Sequence, residues 1–369
     1  MTFDIKDFLL KIAKKNISDV HITLGKPPAV RKSGVIIKVN LPAITQDDIT
    51  EILKEIAPGD FYLHYADYGC QNLDFTYVIE NVSRFRANYS LNFGNPRITL
   101  RTIPYEPLLV NDLKLPPVLN NLTKLNNGII FLTGPTGSGK STTIAALIET
   151  INREKSKHII TIEDPIEFIF RDKKSLITQK SLGVDIESFA LGVKFAMRQD
   201  PDIILVGEIR DRDTMESALA AAETGHLVLS TIHSNSAINT IDRVVNLFDE
   251  QIRSFMLERL ANSLRAVIAQ KLIPTKDGGR LPAVELLTVT STVKDYMNKK
   301  NYDEIYELMR KNETNEMFTL NASLYNMVKS EKITSEIALE YSDEKVELQQ
   351  MLSGSYRGTA KNYMDTFME

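Results

Sequence analysis

The sequence predicts an α/β protein: a P-loop domain built on a parallel sheet, preceded by a small α+β domain. Three observations carry this. Between residues 117 and 291, short apolar runs alternate with helical segments, the pattern of a parallel sheet covered on both faces. The stretch "GPTGSGKS", Gly134–Ser141, fits the P-loop spacing G-x-x-x-x-G-K-[ST] and lies between one such run and a helix. Before residue 104 the strand-like segments alternate apolar and polar residues, which reads as antiparallel pairing.

In chain order, a short amphipathic helix near Asp4–Lys15 leads into the strand "SDVHITL". "AVRKSG" and "VIIKV" follow as short strands around a Ser33–Gly34 turn. "ITQDDITEILKEIA" has the apolar spacing of a helix, with Thr45 as its N-cap. "NLDFTYVI", "SRFRANYSL" and "RITLRTI" then alternate as strands, and the proline-rich "PYEPLLVNDLKLPP" reads as a linker. In the second domain "GIIFLTG", "HIITIED", "DIILVGE" and "HLVLSTIH" are the predicted strands, and "SFALGVKFAMRQ" and "TMESALAAAETG" are helical. The expected boundaries are 1–104 for the small domain, 105–116 for the linker and 117–352 for the P-loop domain with its C-terminal helices. Residues 353–369 form a tail with no predicted structure.

Composition narrows the function. A net charge of −4 gives no electrostatic footprint for nucleic acid. The one cysteine, Cys70, permits no intrachain disulfide and no cysteine-based zinc site. No apolar run approaches the roughly 20 residues that span a bilayer. These features fit a cytoplasmic protein.

The P-loop implies a nucleotide. Gly134, Gly137 and Gly139 let backbone N–H groups close around phosphate oxygens, with Pro135, Thr136, Ser138 and Thr142 completing the loop and the start of the helix. The helix N-terminus adds partial positive charge. Lys140 can reach the β- and γ-phosphates of ATP, and the Ser141 hydroxyl can ligate Mg2+.

Ligands of open parallel sheets bind beyond the carboxyl ends of the strands. Glu208 follows "IILV", and Glu163 and Asp164 end "IITIED", so these acids are placed to face the nucleotide. Glu208 is the candidate Mg2+ acid and Glu163 the candidate for polarising the attacking water. The alternative for either is a helix cap or an arginine pair, and Asp164 before Pro165 can simply start a turn. "TGHLVLSTIHSNSA" holds two histidines. About 23 Å of strand separates His226 from His233, so one metal ion cannot bridge them. His233 falls at the nucleotide end and His226 at the far end.

"GPTGSGKSTT", "HIITIEDPIEF", "AMRQDPDIILVGEIRD" and "TGHLVLSTIHSNSAINTIDR" resemble, in order and spacing, the Walker A, Asp box, Walker B and His box of the secretion ATPase superfamily. PilT-like ATPases of type IV pili are the nearest resemblance, from about Ser18 to about Leu287, with "SDVHITLGKPPAVRKSG" similar to their PAS-like N-terminal domain and "LRAVIAQKL" to their later motor segment. The resemblance implies a RecA-like ATPase domain in a homohexamer on the cytoplasmic side of the inner membrane. It implies Mg2+-dependent ATP hydrolysis that drives pilus retraction through a membrane platform protein, with a paralogous pilus ATPase as a further partner. Within it Glu163 is the catalytic glutamate, Glu208 the Walker B acid, His233 a γ-phosphate-side residue, and Arg84, Arg86 and Arg101 match arginines that approach the nucleotide. Otherwise these arginines line a solvated strand face.

Two departures stand out. Gly94 occupies a position where the family writes arginine, with Arg97 nearby, and "STVKDYM", Ser291–Met297, replaces an "AIRN"-type helix of retraction motors. With one cysteine, the chain lacks the four-cysteine zinc subdomain common in extension motors. An accessory, PilU-like subunit that binds ATP with little turnover is the alternative function. A nucleic-acid motor on the same fold is disfavoured by the acidic balance.

Overall fold

The structure is a computed structural model. It describes residues 3–13, 15, 17–32, 34–65, 72–80, 82–103, 106–311 and 316–355. Ser33, Cys70 and most of the tail, residues 356–369, lie outside the described residues. The chain divides into two compact units, residues 1–106 and 107–369.

The first unit contains α1 (Ile5–Ala13), β1 (Ile17–Thr23), β2 (Ala29–Lys32), β3 (Val35–Lys38), α2 (Gln46–Ile56), α3 (Phe61–His64), β4 (Asn72–Ile79), β5 (Ser83–Asn92) and β6 (Asn95–Ile103). Its six strands form one antiparallel sheet in the order β3-β2-β1-β6-β5-β4. Strand alternation sends Val20, Ile22, Phe85, Ala87, Tyr89, Ile98 and Leu100 to one face, where they pack with Leu9 of α1 and Ile49, Ile52 and Leu53 of α2. Thr45 caps α2 in a reciprocal box: Asp48 N donates to Thr45 Oγ1 (3.2 Å) and Thr45 N donates to Asp48 Oδ2 (2.9 Å). The edge strand β3 leaves Val35, Ile36 and Ile37 exposed.

The second unit contains β7 (Gly128–Thr133), α4 (Lys140–Glu154), β8 (His158–Glu163), β9 (Leu176–Ser181), α5 (Phe189–Ala196), β10 (Ile203–Val206), α6 (Arg212–Glu223), β11 (Leu227–Ile232), α7 (Ala237–Val245), α8 (Arg253–Ser263), β12 (Leu264–Pro274), β13 (Arg280–Thr288), α9 (Ser291–Asn298), α10 (Tyr302–Lys311), α11 (Leu320–Lys329), α12 (Ser335–Tyr341) and α13 (Lys345–Ser353). Its sheet runs β13-β12-β7-β11-β10-β8-β9. Every neighbouring pair is parallel except β12 with β13. The four predicted strands are its centre. β7, β10 and β11 are buried throughout, as apolar strands covered on both faces must be.

The sheet is wider than the four strands read from sequence. β9 was not predicted because it is a polar edge strand with Leu176 exposed, so it lacks an apolar run. β12 and β13 were not predicted because their apolar runs do not separate buried strand from buried helix by periodicity. Of the segment expected as a linker, residues 107–116 cluster with the second unit, where Val110 and Leu115 are buried. The segment that replaces the "AIRN" helix is itself helical: α9 buries Val293 and Met297 in the main core. Beyond it, α11–α13 have a small core of their own, Leu324, Ile333, Ala338 and Leu348, packed on Ile273 and Ala283 of the β12–β13 hairpin.

Candidate nucleotide-binding site

Because β7, β8, β10 and β11 are parallel, their carboxyl ends share one edge of the sheet. The loop 134–139 leaves β7 there and enters α4 at Lys140. Gly134 has φ +141°, and a Cβ on it would stand 2.3 Å from the Gln270 carbonyl oxygen. A Cβ on Gly139, at φ +88°, would stand 2.9 Å from Gln270 Nε2. Both glycines are therefore fixed by left-handed backbone and by the closeness of β12. Gln270 is itself buried, and it bolts the loop down. Its Nε2 donates to the Ser138 carbonyl (2.7 Å), and its Oε1 accepts from Thr143 Oγ1 of α4 (2.8 Å).

Pro135, Thr136, Gly137 and Ser141 are exposed, and Thr142 partly so. The buried Ser138 hydroxyl has no hydrogen-bond partner among the described residues. Lys140 Nζ donates to the carbonyls of Gly134 (2.8 Å) and Pro135 (3.0 Å). Burial lowers the Lys140 pKa, and Glu208 opposes that shift. This is a cradle of backbone N–H groups, a buried ammonium and a helix N-terminus, which suits phosphate oxygens. The Ser141 hydroxyl and the Glu208 carboxylate are oxygen donors of the kind Mg2+ takes beside phosphate.

Glu163 ends β8. Its Oε1 accepts from Thr161 Oγ1 (2.7 Å) and Gln179 Nε2 of β9 (3.2 Å). Burial pushes the Glu163 carboxyl above the ordinary range, outweighing these hydrogen bonds. Glu208 lies two residues past β10. Its loop is held by β11: Thr231 Oγ1 donates to the Gly207 carbonyl (2.7 Å), and Ile209 N donates to the Thr231 carbonyl (3.0 Å). Glu208 Oε2 pairs with Arg210 Nε at 2.8 Å and lies 3.8 Å from His233 Nε2. The arginine pair weighed as an alternative for Glu208 is thus present, beside Lys140 and His233. Burial first, then Lys140, lowers the His233 pKa against the pull of Glu208. These influences favour the neutral imidazole of His233 over its cation.

His226 sits at the other end of β11, where its Nδ1 lies 2.9 Å from the Ala221 carbonyl and 3.1 Å from Thr224 Oγ1. It closes the end of α6. The arginine candidates belong to the first unit. Arg84 is buried, and Arg86 is exposed opposite Arg101 in the β5–β6 register. Arg101 Nε donates to Asp19 Oδ1 (3.0 Å). Gly94, with Phe93, forms the turn joining β5 to β6 at φ +75° and +50°, so backbone geometry favours glycine there. Arg97 lies on β6 opposite Thr23 and Ser90. Sequence reading did not single out Gln270, Gln179, Thr161 or Arg210. Only Arg210 carries a signal, its place two residues after Glu208 within the Walker B stretch.

Residues 101–350 match the family described as Type II/IV secretion system protein. Over 338 residues the chain is 37% identical to the type IV pilus retraction ATPase PilT of Pseudomonas aeruginosa, covering 91% of this chain and 97% of that protein. The chain belongs to the type II/IV secretion system protein family. It is a PilT-like ATPase of that family, and nucleotide binding comes with it. The crystal structure of the pilus retraction motor PilT with bound ADP superposes with a TM-score of 0.86 at 39% identity, covering 94% of this chain and 99% of that one. The type IV pilus ATPase PilU of Pseudomonas aeruginosa is 33% identical over 354 residues, 95% of this chain and 91% of that protein. Among the described residues no helix is long and apolar enough to cross a membrane.

Proposed function

We propose that the second unit hydrolyses ATP with Mg2+ at the carboxyl edge of its sheet, and that the chain uses this turnover to drive type IV pilus retraction and twitching motility. The observation that carries the reading is the clustering of the P-loop, Glu208 and His233 on the edge where Glu163 ends its strand. Loop N–H groups and Lys140 bind the phosphates. Ser141 and Glu208 would hold Mg2+, which neutralises charge across the phosphate oxygens. Glu163, made more basic by burial, orients the attacking water and takes its proton. His233, uncharged, donates one ring N–H toward the γ-phosphate side. Arg210 pairs with Glu208 Oε2, so Mg2+ would be held either by the other carboxylate oxygen or in place of that pair. Arg84, Arg86 and Arg101 are assigned to phosphate charge, and residues 1–104 to a PAS-like domain.

The working form proposed is a homohexamer in the cytoplasm, peripheral to the inner membrane and acting on the pilus platform protein there. The likeness to the type IV pilus retraction ATPase PilT supports this reading, as does the P-loop edge. Purified protein should hydrolyse ATP with Mg2+, and Glu208→Ala should lower kcat by at least about 100-fold while ADP binding stays measurable. Deletion of the gene should leave excess surface pili without twitching; loss of pili would point to extension instead. The PilU likeness and the altered α9 favour one second reading, an accessory subunit with little turnover. Undetectable hydrolysis by the intact assembly would decide for it.

A further inference from the structure

One buried carboxylate stands outside this chemistry. Glu285 lies on β13, almost wholly enclosed. It accepts from Ala237 N (2.7 Å) and, at longer range, from Leu320 N (3.4 Å). These are the first residues of α7 and α11. A first-turn N–H has no partner within its own helix. Two helix N-termini from separate parts of the chain therefore converge on one side chain.

Sheet register shows what Glu285 is joined to. Ile232 pairs with Thr133, Thr133 with Ala269, and Ala269 with Glu285. The four residues form one row across β11, β7, β12 and β13, so their side chains share a face. The chain leaves β11 after Ile232 and returns over this row. Thr133 Oγ1 donates to the Ser234 carbonyl (2.8 Å) and accepts from Ser234 N (2.8 Å). Three residues later Glu285 holds Ala237, and the small Ala269 stands between the two anchors. His233 is thus on a segment pinned twice, once at the base of the P-loop and once at Glu285. The second pin also holds α11, the first helix of the module with its own core.

We propose that Glu285 is a positioning residue that ties the His233 segment to helices α11–α13, so that nucleotide binding at the P-loop is felt in the C-terminal module. Its place in turnover rests on the ATPase reading above; the structural tie does not. Glu285→Gln keeps the size of the side chain but turns one acceptor into a donor facing an N–H group, so one of the two ties is lost.

Amide hydrogen exchange with and without ADP tests the tie. In the native protein ADP should slow exchange across residues 320–353 as well as in the P-loop, by about 3- to 30-fold in the module. In Glu285→Gln the P-loop effect should remain and the module effect should vanish, with kcat down by a similar factor and KM for ATP within about twofold. Glu285→Asp, which keeps the carboxylate on a shorter arm, should retain part of the module effect and serves if the glutamine variant does not fold. Equal ADP protection of the module in native and variant proteins would overturn the proposal, as would native protein whose module ignores ADP. Absence of ATP hydrolysis by native protein would sink the ATPase reading while leaving the exchange comparison intact.

Discussion

Glu163 and His233 are shifted in opposite directions, and each shift suits its assigned task. Burial raises the Glu163 pKa, so its carboxylate is a better base than an exposed glutamate. The rate should therefore rise with pH through an ionisation above the ordinary glutamate range. A kcat–pH profile checks this, and Glu163→Gln should remove both the limb and most of the rate. The sign for stability is opposite. A carboxyl whose folded pKa is raised binds its proton more tightly when folded, so stability falls as pH rises from the unfolded pKa through the folded one. Chemical denaturation of Glu163→Gln across pH should lack that fall, because the group that titrates has been removed. Burial, then Lys140, lowers the His233 pKa and so favours its neutral form. His233→Ala should lower kcat more than it weakens nucleotide binding, read by steady-state kinetics beside ADP titration; an unchanged kcat would refute its role.

At the scale of elements, the P-loop depends on a strand that is distant in sequence. Gln270 reaches from β12 to Ser138 near the end of the loop and to Thr143 in α4, and its side chain is buried. Gln270→Ala would leave the Ser138 carbonyl and the Thr143 hydroxyl without those partners. A loss of about 1–3 kcal/mol in stability follows, with weaker ADP binding measured by calorimetry. This dependence was not legible in the sequence. A P-loop announces itself through fixed local spacing, but the glutamine that supports it lies 127 residues from Thr143 and in no motif of its own. The same contrast holds elsewhere. Thr45 was legible as a cap because a threonine stands directly before the apolar-periodic run of α2. Glu163, Glu208 and His233 were placed because strand polarity sends them to one edge. The partners Thr161, Gln179 and Arg210 were not singled out, because a side-chain direction is set only once neighbouring strands pair.

For the whole molecule, the parallel core of the second unit was readable and the margins of its sheet were less so, while both edge strands of the first sheet, β3 and β4, were read from their sequence. Central strands must be apolar, and their alternation with helices dictates βαβ connections. Margins obey no such pattern: β9 is polar, and β13 runs antiparallel to its neighbour. The margin of the first unit has a further consequence. The edge strand β3 presents Val35, Ile36 and Ile37 to solvent between Lys32 and Lys38. A bare apolar edge is a template for adding a strand from another molecule, and flanking lysines are what discourages it. Ile36→Lys should slow light-scattering growth during heating, while Lys32→Ala with Lys38→Ala should hasten it. The chain's resistance to sticking to its own kind would then rest on two ammonium groups beside four residues of strand.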